Sequence, residues 1–126
     1  QTQKTPPAMQ KIYHLSTCDT CKRIIKELEP SNTVVFQDIK EQHINAKQLE
    51  ALRELSGSYQ ALFSKRARLY NERALKEQTL SEENYKSLIL EHYTFLKRPV
   101  IVNSGQIFIG NSKKVVAQAK VSLQNK

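Results

Sequence analysis

The stretch Ile12-Tyr13-His14-Leu15-Ser16-Thr17-Cys18-Asp19-Thr20-Cys21-Lys22-Arg23 constrains the fold more than any other part of the chain. It begins apolar, passes a polar corner and continues with Ile24, Ile25 and Leu28 at helical spacing. Both cysteines sit at that corner with two residues between them. A strand that delivers a C-x-x-C to the first turn of a helix is a redox-site arrangement. Unpaired backbone N–H groups and the positive end of the helix dipole both favour a thiolate there. His14, Lys22 and Arg23 lie close enough in sequence to add positive charge beside the sulfur.

Cysteine usage and charge narrow the chemistry further. Two cysteines rule out a multi-disulfide secreted scaffold, so the pair reads as cytosolic redox chemistry or as half of a metal site. The metal reading needs further ligands. Only His14, His43 and His92 are available, with no second C-x-x-C and no H-x-x-x-H, so no metal site is expected. Lys and Arg number 20 against 12 Asp and Glu, an excess that suits an anionic partner or simply a solvated surface. Lys65, Arg66, Arg68 and Arg73 would supply either a basic wall or a solvated helix face. No helix-turn-helix or RNA-recognition signature accompanies them, so direct nucleic-acid binding is not expected. No apolar run is long enough to span a membrane, and the N-terminus has no apolar signal-peptide core, so a cytoplasmic location is expected.

Taken in order, residues 1–9 carry Pro6-Pro7 without periodicity and read as a flexible tail or a cloning remnant, with Met9 a natural start. Residues 11–15 predict a first strand, and Asp19 or Thr20 caps a helix that runs to about Glu29, stopped by Pro30 and Ser31-Asn32. Residues 33–36 predict a second strand. Asn45 caps a helix facing inward through Leu49, Leu52 and Leu55 and ended by Ser56-Gly57-Ser58. Short helical pieces follow around 59–63 and Leu75. Ser81 caps a helix with Tyr85, Leu88, Ile89 and His92 on one face. Val100-Ile101-Val102, Asn103-Ser104-Gly105 and residues 106–109 form a β-hairpin, and a last helix runs through Val115, Val116 and Ala119 to a frayed end from Ser122. Tyr13, Phe36, Tyr59, Phe63, Phe95 and Phe108 read as core.

This order predicts an α/β, thioredoxin-like fold: β-α-β with a right-handed crossover, a helical insertion over about 45–95, a β-hairpin and a C-terminal helix, within one domain over 10–122. In such folds a proline opens the hairpin strand through a cis peptide bond beside the C-x-x-C, a place held here by Pro99. The chain is expected to act as a monomer.

With these residues in hand, the chain resembles the arsenate reductase (ArsC)/Spx family over residues 11–119. The likeness rests on Tyr13-His14-x-x-x-Cys18, on Ala61-Leu62-Phe63-Ser64-Lys65-Arg66, on Arg98-Pro99-Val100-Ile101-Val102 and on Ile109-Gly110. The resemblance implies that Cys18 is a nucleophile toward an oxyanion or a mixed disulfide, that His14 helps hold its thiolate and that Arg98 binds the anion through its bidentate fork. It implies no bound cofactor, with glutathione and glutaredoxin, or thioredoxin, as electron donor. Three family arginines fall on Lys22, Ser64 and Asn111, leaving Lys65 and Arg66 as neighbouring cations, and the loop reads His14-Leu15-Ser16. Cys21 stands where arsenate reductases carry a non-thiol residue and would be the resolving thiol. The C-x-x-C and Ser64-x-Arg66-x-Arg68 are closer to Spx and YffB-like members. By that resemblance the alternative is a redox-switch regulator that binds the RNA polymerase α subunit.

Overall fold

Gln10–His14, with Ile12 and Tyr13 both buried, forms β1, which crosses through α1 (Asp19–Leu28) to the parallel strand β2 (Val35–Asp38). A computed structural model describes residues 10–30 and 34–124. The expectations for the tail 1–9, the stop at Ser31-Asn32, Thr33 and the last two residues lie outside the described residues. Two compact units share the chain: its two ends, through Asp38 and from Arg98, build one, and Ile39–Lys97 builds the other.

In the first unit, β3 (Val100–Asn103) and β4 (Gln106–Ile109) complete a four-stranded sheet in the order β2-β1-β3-β4. β1 is parallel to β2 and antiparallel to β3, with Ile12 opposite Phe36 on one side and Ile101 on the other. Ser104 and Gly105 make the two-residue hairpin turn at φ 51° and 90°, the left-handed pair that matches strand twist. Helix α5 (Lys113–Gln124) packs with α1 on one face of the sheet, where Ile12, Ile24, Leu28, Val34, Ile101, Val116, Ala119 and Leu123 form a continuous buried core. This is an α/β fold of thioredoxin-like layout.

The second unit holds α2 (Ala46–Ser56), α3 (Arg68–Glu72) and α4 (Glu82–Glu91), joined by short 3-10 turns. Asn45 caps α2 through a reciprocal box with Gln48, and Gly57 ends it at φ 94°. Ser81 forms the equivalent box with Asn84 on α4. Phe63 stacks on Phe95 with ring centres 5.3 Å apart and meets Tyr85 and Tyr70 edge-on or tilted, an aromatic cluster that centres this unit.

Five expectations need correction. The second strand lies two residues later than residues 33–36, and Phe36 is 43% exposed because β2 is the sheet's edge strand. Leu55 lies at the rim of the α2 stripe, exposed, while Leu49 and Leu52 are buried. His92 falls one residue beyond α4, where its Nδ1 accepts the Thr94 N–H at 3.2 Å. The final helix does not fray at Ser122: Leu123 is buried, and Asn103 Nδ2 donates to the Ser122 carbonyl at 2.9 Å and to Ser122 Oγ at 2.8 Å. Among the described residues no helix is long and apolar enough to cross a membrane.

Candidate active site

β1 ends at His14, and the chain reverses in a tight turn whose Cys18 N–H donates to the Leu15 carbonyl at 3.0 Å. Cys18 then takes an extended conformation (φ −93°, ψ 116°) and is itself the N-cap of α1, a place the sequence assigned to Asp19 or Thr20. Its carbonyl accepts the Lys22 N–H at 3.1 Å, which starts the helical ladder. No side-chain hydrogen bond completes the cap. The sulfur therefore faces the orphan N–H groups of the first turn without an oxygen competing for them.

The two thiols differ in electrostatics. Burial by itself would raise the Cys18 thiol. The Cys21 N–H, the Cys21 side chain, the Thr20 N–H and the Arg98 guanidinium outweigh it and bring the thiol below its ordinary 9.0. Cys21, three residues along the same helix, is fully buried and pushed up to about 11. Burial is the main cause. The negative charge of Cys18 and the hydrogen bond shared with it add to the rise, and the Leu15 N–H and Arg98 offset it only in part. Both cysteines are free thiols. The turn thus holds one thiol disposed to ionise beside one held protonated.

The other residues singled out from sequence distribute unevenly. Arg98 is half-buried, precedes Pro99 through a cis peptide bond, and its charge acts on both sulfurs. His14 is half-buried, with its ring edge-on to Phe36 at 5.7 Å. Burial lowers its pKa and the neighbouring Asp38 offsets this in part, and His14 is not among the groups that act on Cys18. Lys22 and Arg23 are exposed on α1 and are likewise absent from those groups. Lys65 and Arg66 belong to the second unit, in an exposed turn where the Arg66 N–H donates to Ser64 Oγ at 3.3 Å. Among the described residues no group of three or more His, Cys, Asp or Glu is placed to hold a metal ion.

Sequence reasoning missed two contributors. One is the Thr20 backbone N–H, which follows only once Cys18 is known to be the N-cap. The other is Asp38, which accepts the Ser16 N–H at 3.3 Å and sits opposite His14 in the β1–β2 register. An acid at the end of a strand beside the corner strand was the available signal for it.

Comparison with known proteins places this geometry. An arsenate reductase from Yersinia enterocolitica is 27% identical over 72% of the chain, and the chain spans 66% of that relative's length. Among solved structures, an ArsC family related protein from Bacteroides fragilis superposes with a TM-score of 0.74 at 22% identity, covering 87% of this chain and 96% of the other. An arsenate reductase from Vibrio cholerae gives a TM-score of 0.72 at 21% identity, covering 93% and 99%. These likenesses show a shared fold. The family model for ArsC runs from Tyr13 to Ala119, taking in the cysteine corner, the helical insertion, the cis-proline strand and the closing helix, and on that extent the chain belongs to the ArsC family.

Proposed function

We propose that this protein is a thiol-dependent reductase in which Cys18 attacks as a thiolate and Cys21 resolves the adduct. The observation that carries the reading is the opposite displacement of the two thiols on one helical turn: Cys18 below its ordinary range, Cys21 at about 11. A nucleophile needs the thiolate at neutral pH. A resolving thiol must stay protonated until its target exists.

With an arsenate-like oxyanion, Cys18 Sγ bonds to the central atom and an oxygen departs as water. A thiol then attacks Cys18 Sγ, the sulfur–oxyanion bond breaks with its electron pair, and the central atom leaves reduced by two electrons. With a mixed disulfide, Cys18 displaces one thiolate and Cys21 displaces the second. Cys21 as the attacking group leaves a Cys18–Cys21 disulfide, which an external thiol donor reduces. The same physics times the second step. Once Cys18 is in covalent linkage, its negative charge and its hydrogen bond no longer hold Cys21 up, so Cys21 ionises more readily when it is needed. Arg98, already favouring negative charge at the sulfurs, would hold the oxyanion or a substrate carboxylate, with Lys22 as a secondary cation. His14, neutral at pH 7, would line the corner rather than supply charge. The donor in this reading is glutathione with glutaredoxin, or thioredoxin, in the cytoplasm, with the protein acting as a monomer.

The test is arsenate-dependent NADPH oxidation with glutathione, glutaredoxin and glutathione reductase, using Cys18→Ser as control. Turnover that vanishes in Cys18→Ser supports the oxyanion enzyme. Cys21→Ser incubated with a disulfide substrate should trap a mixed disulfide on Cys18, and its failure to do so refutes the resolving role. No turnover with any oxyanion or disulfide, together with oxidation-dependent binding of the RNA polymerase α subunit, would replace the enzyme by an Spx-type switch.

A further inference from the structure

We propose that Asp38 is a positioning residue for the cysteine corner: its carboxylate takes the Ser16 N–H where the β1–β2 ladder stops and so fixes the turn that seats Cys18 on the helix end. The inference rests on the reading of Cys18 as the attacking thiol.

β1 and β2 end together, His14 opposite Asp38. Beyond them the chain from β1 turns into the cysteine corner, and β2 gives way to a turn at Ile39 and Lys40. In a continuing parallel pair the next outward-facing N–H of β1 would find a backbone carbonyl on β2. Here the Asp38 side chain supplies the acceptor instead, Oδ1 lying 3.3 Å from Ser16 N. Two residues later the Cys18 N–H closes the same turn on the Leu15 carbonyl at 3.0 Å, and the Leu15 N–H acts on the Cys21 sulfur. The turn is therefore held at both ends, by Asp38 and by the helix it begins, and both thiols depend on its shape. Asp38 is not among the groups that act on Cys18 directly, so its influence passes through the backbone of residues 15–18.

The test separates the tether from the charge. In the wild type, amide hydrogen exchange at Ser16 should be protected relative to an unstructured peptide; exchange at the unprotected rate overturns the proposal. Asp38→Ala should lose that protection and slow iodoacetamide labelling of Cys18 at pH 7 about fivefold, the worth of one ordinary hydrogen bond near 1 kcal/mol. Asp38→Asn keeps an acceptor oxygen on the same stem and should retain both Ser16 protection and most of the labelling rate. An unchanged rate in Asp38→Ala, or an Asn variant as slow as the Ala variant, overturns the tether. Should Asp38→Ala fail to fold, the wild type and Asp38→Asn decide the matter by the same two readouts. None of these measurements uses a substrate, so their failure is distinguishable from failure of the reductase reading.

Discussion

A limiting amount of iodoacetamide added to the reduced protein at pH 7 is expected to label Cys18 and to leave Cys21 nearly untouched. Cys21 sits at about 11 and Cys18 below its ordinary 9.0, so the two lie more than about 2 pH units apart. At neutral pH the thiolate population on Cys18 then exceeds that on Cys21 by more than about 100-fold. The weaker base is also the weaker nucleophile, and a Brønsted slope of about 0.4–0.5 gives back about tenfold. A preference of at least about tenfold remains from ionisation alone, and access adds to it, because Cys21 is only 1% exposed. Quenched time points, digested and quantified by mass spectrometry, read the ratio directly. The Cys18→Ser variant supplies the internal control. It removes the charge that raises Cys21 but leaves the burial, so Cys21 should label faster than in the wild type and still more slowly than wild-type Cys18. Comparable labelling of both thiols in the wild type would refute the assignment of roles. A Cys21 that reacts in Cys18→Ser as fast as wild-type Cys18 would show that burial is not the chief cause of its shift.

Arg98→Ala should move the pH midpoint of Cys18 labelling upward and Arg98→Lys should hold most of the wild-type value, because only the charge is invoked at the sulfur. Stability of the reduced protein should fall as pH rises from about 9 toward 11: the unfolded chain releases the Cys21 proton near its ordinary value while the folded chain retains it to about 11, so alkali favours the unfolded state. Urea midpoints across that window should show the fall, and Cys21→Ala should flatten it. Phe63→Ala, at the centre of the stacked aromatic cluster, should cost about 3–5 kcal/mol in urea denaturation. Asn45→Ala, which removes a complete capping box, should cost about 1 kcal/mol.

The corner was legible because three independent signals coincide within a dozen residues: an apolar strand, a polar break and helical spacing of Ile24, Ile25 and Leu28. The hairpin was legible for the same local reason, with Ser104 and Gly105 flanked by β-branched residues. What local pattern could not give were effects of position in the sheet. Phe36 has the composition of a core residue, but an edge strand leaves it half in solvent. Ser122 to the end has the composition of a frayed terminus, but Asn103, on another element, holds the Ser122 carbonyl. The polar residues after Cys18 look like helix caps, yet the cysteine occupies that place itself and its neighbours supply N–H groups instead. The electrostatics failed similarly. Lys22 and Arg23 are close in sequence and exposed, whereas the cation acting on Cys18 is Arg98, brought in by β3.

The sheet order β2-β1-β3-β4 has a consequence for how the protein is made. A ribosome delivers β1, the cysteine corner and β2 first, then the whole of Ile39–Lys97, and only afterwards the segment that lies along the other side of β1. Until that segment arrives, Ile12 lacks its cover from Ile101 and Cys18 lacks the charge of Arg98. Pairing of such distant segments comes late, because a long loop must close before the contacts reward it. A chain interrupted anywhere in its middle therefore carries both thiols without the setting that tells them apart. The difference between the two thiols is completed only when Arg98 and β3 take their place beside β1.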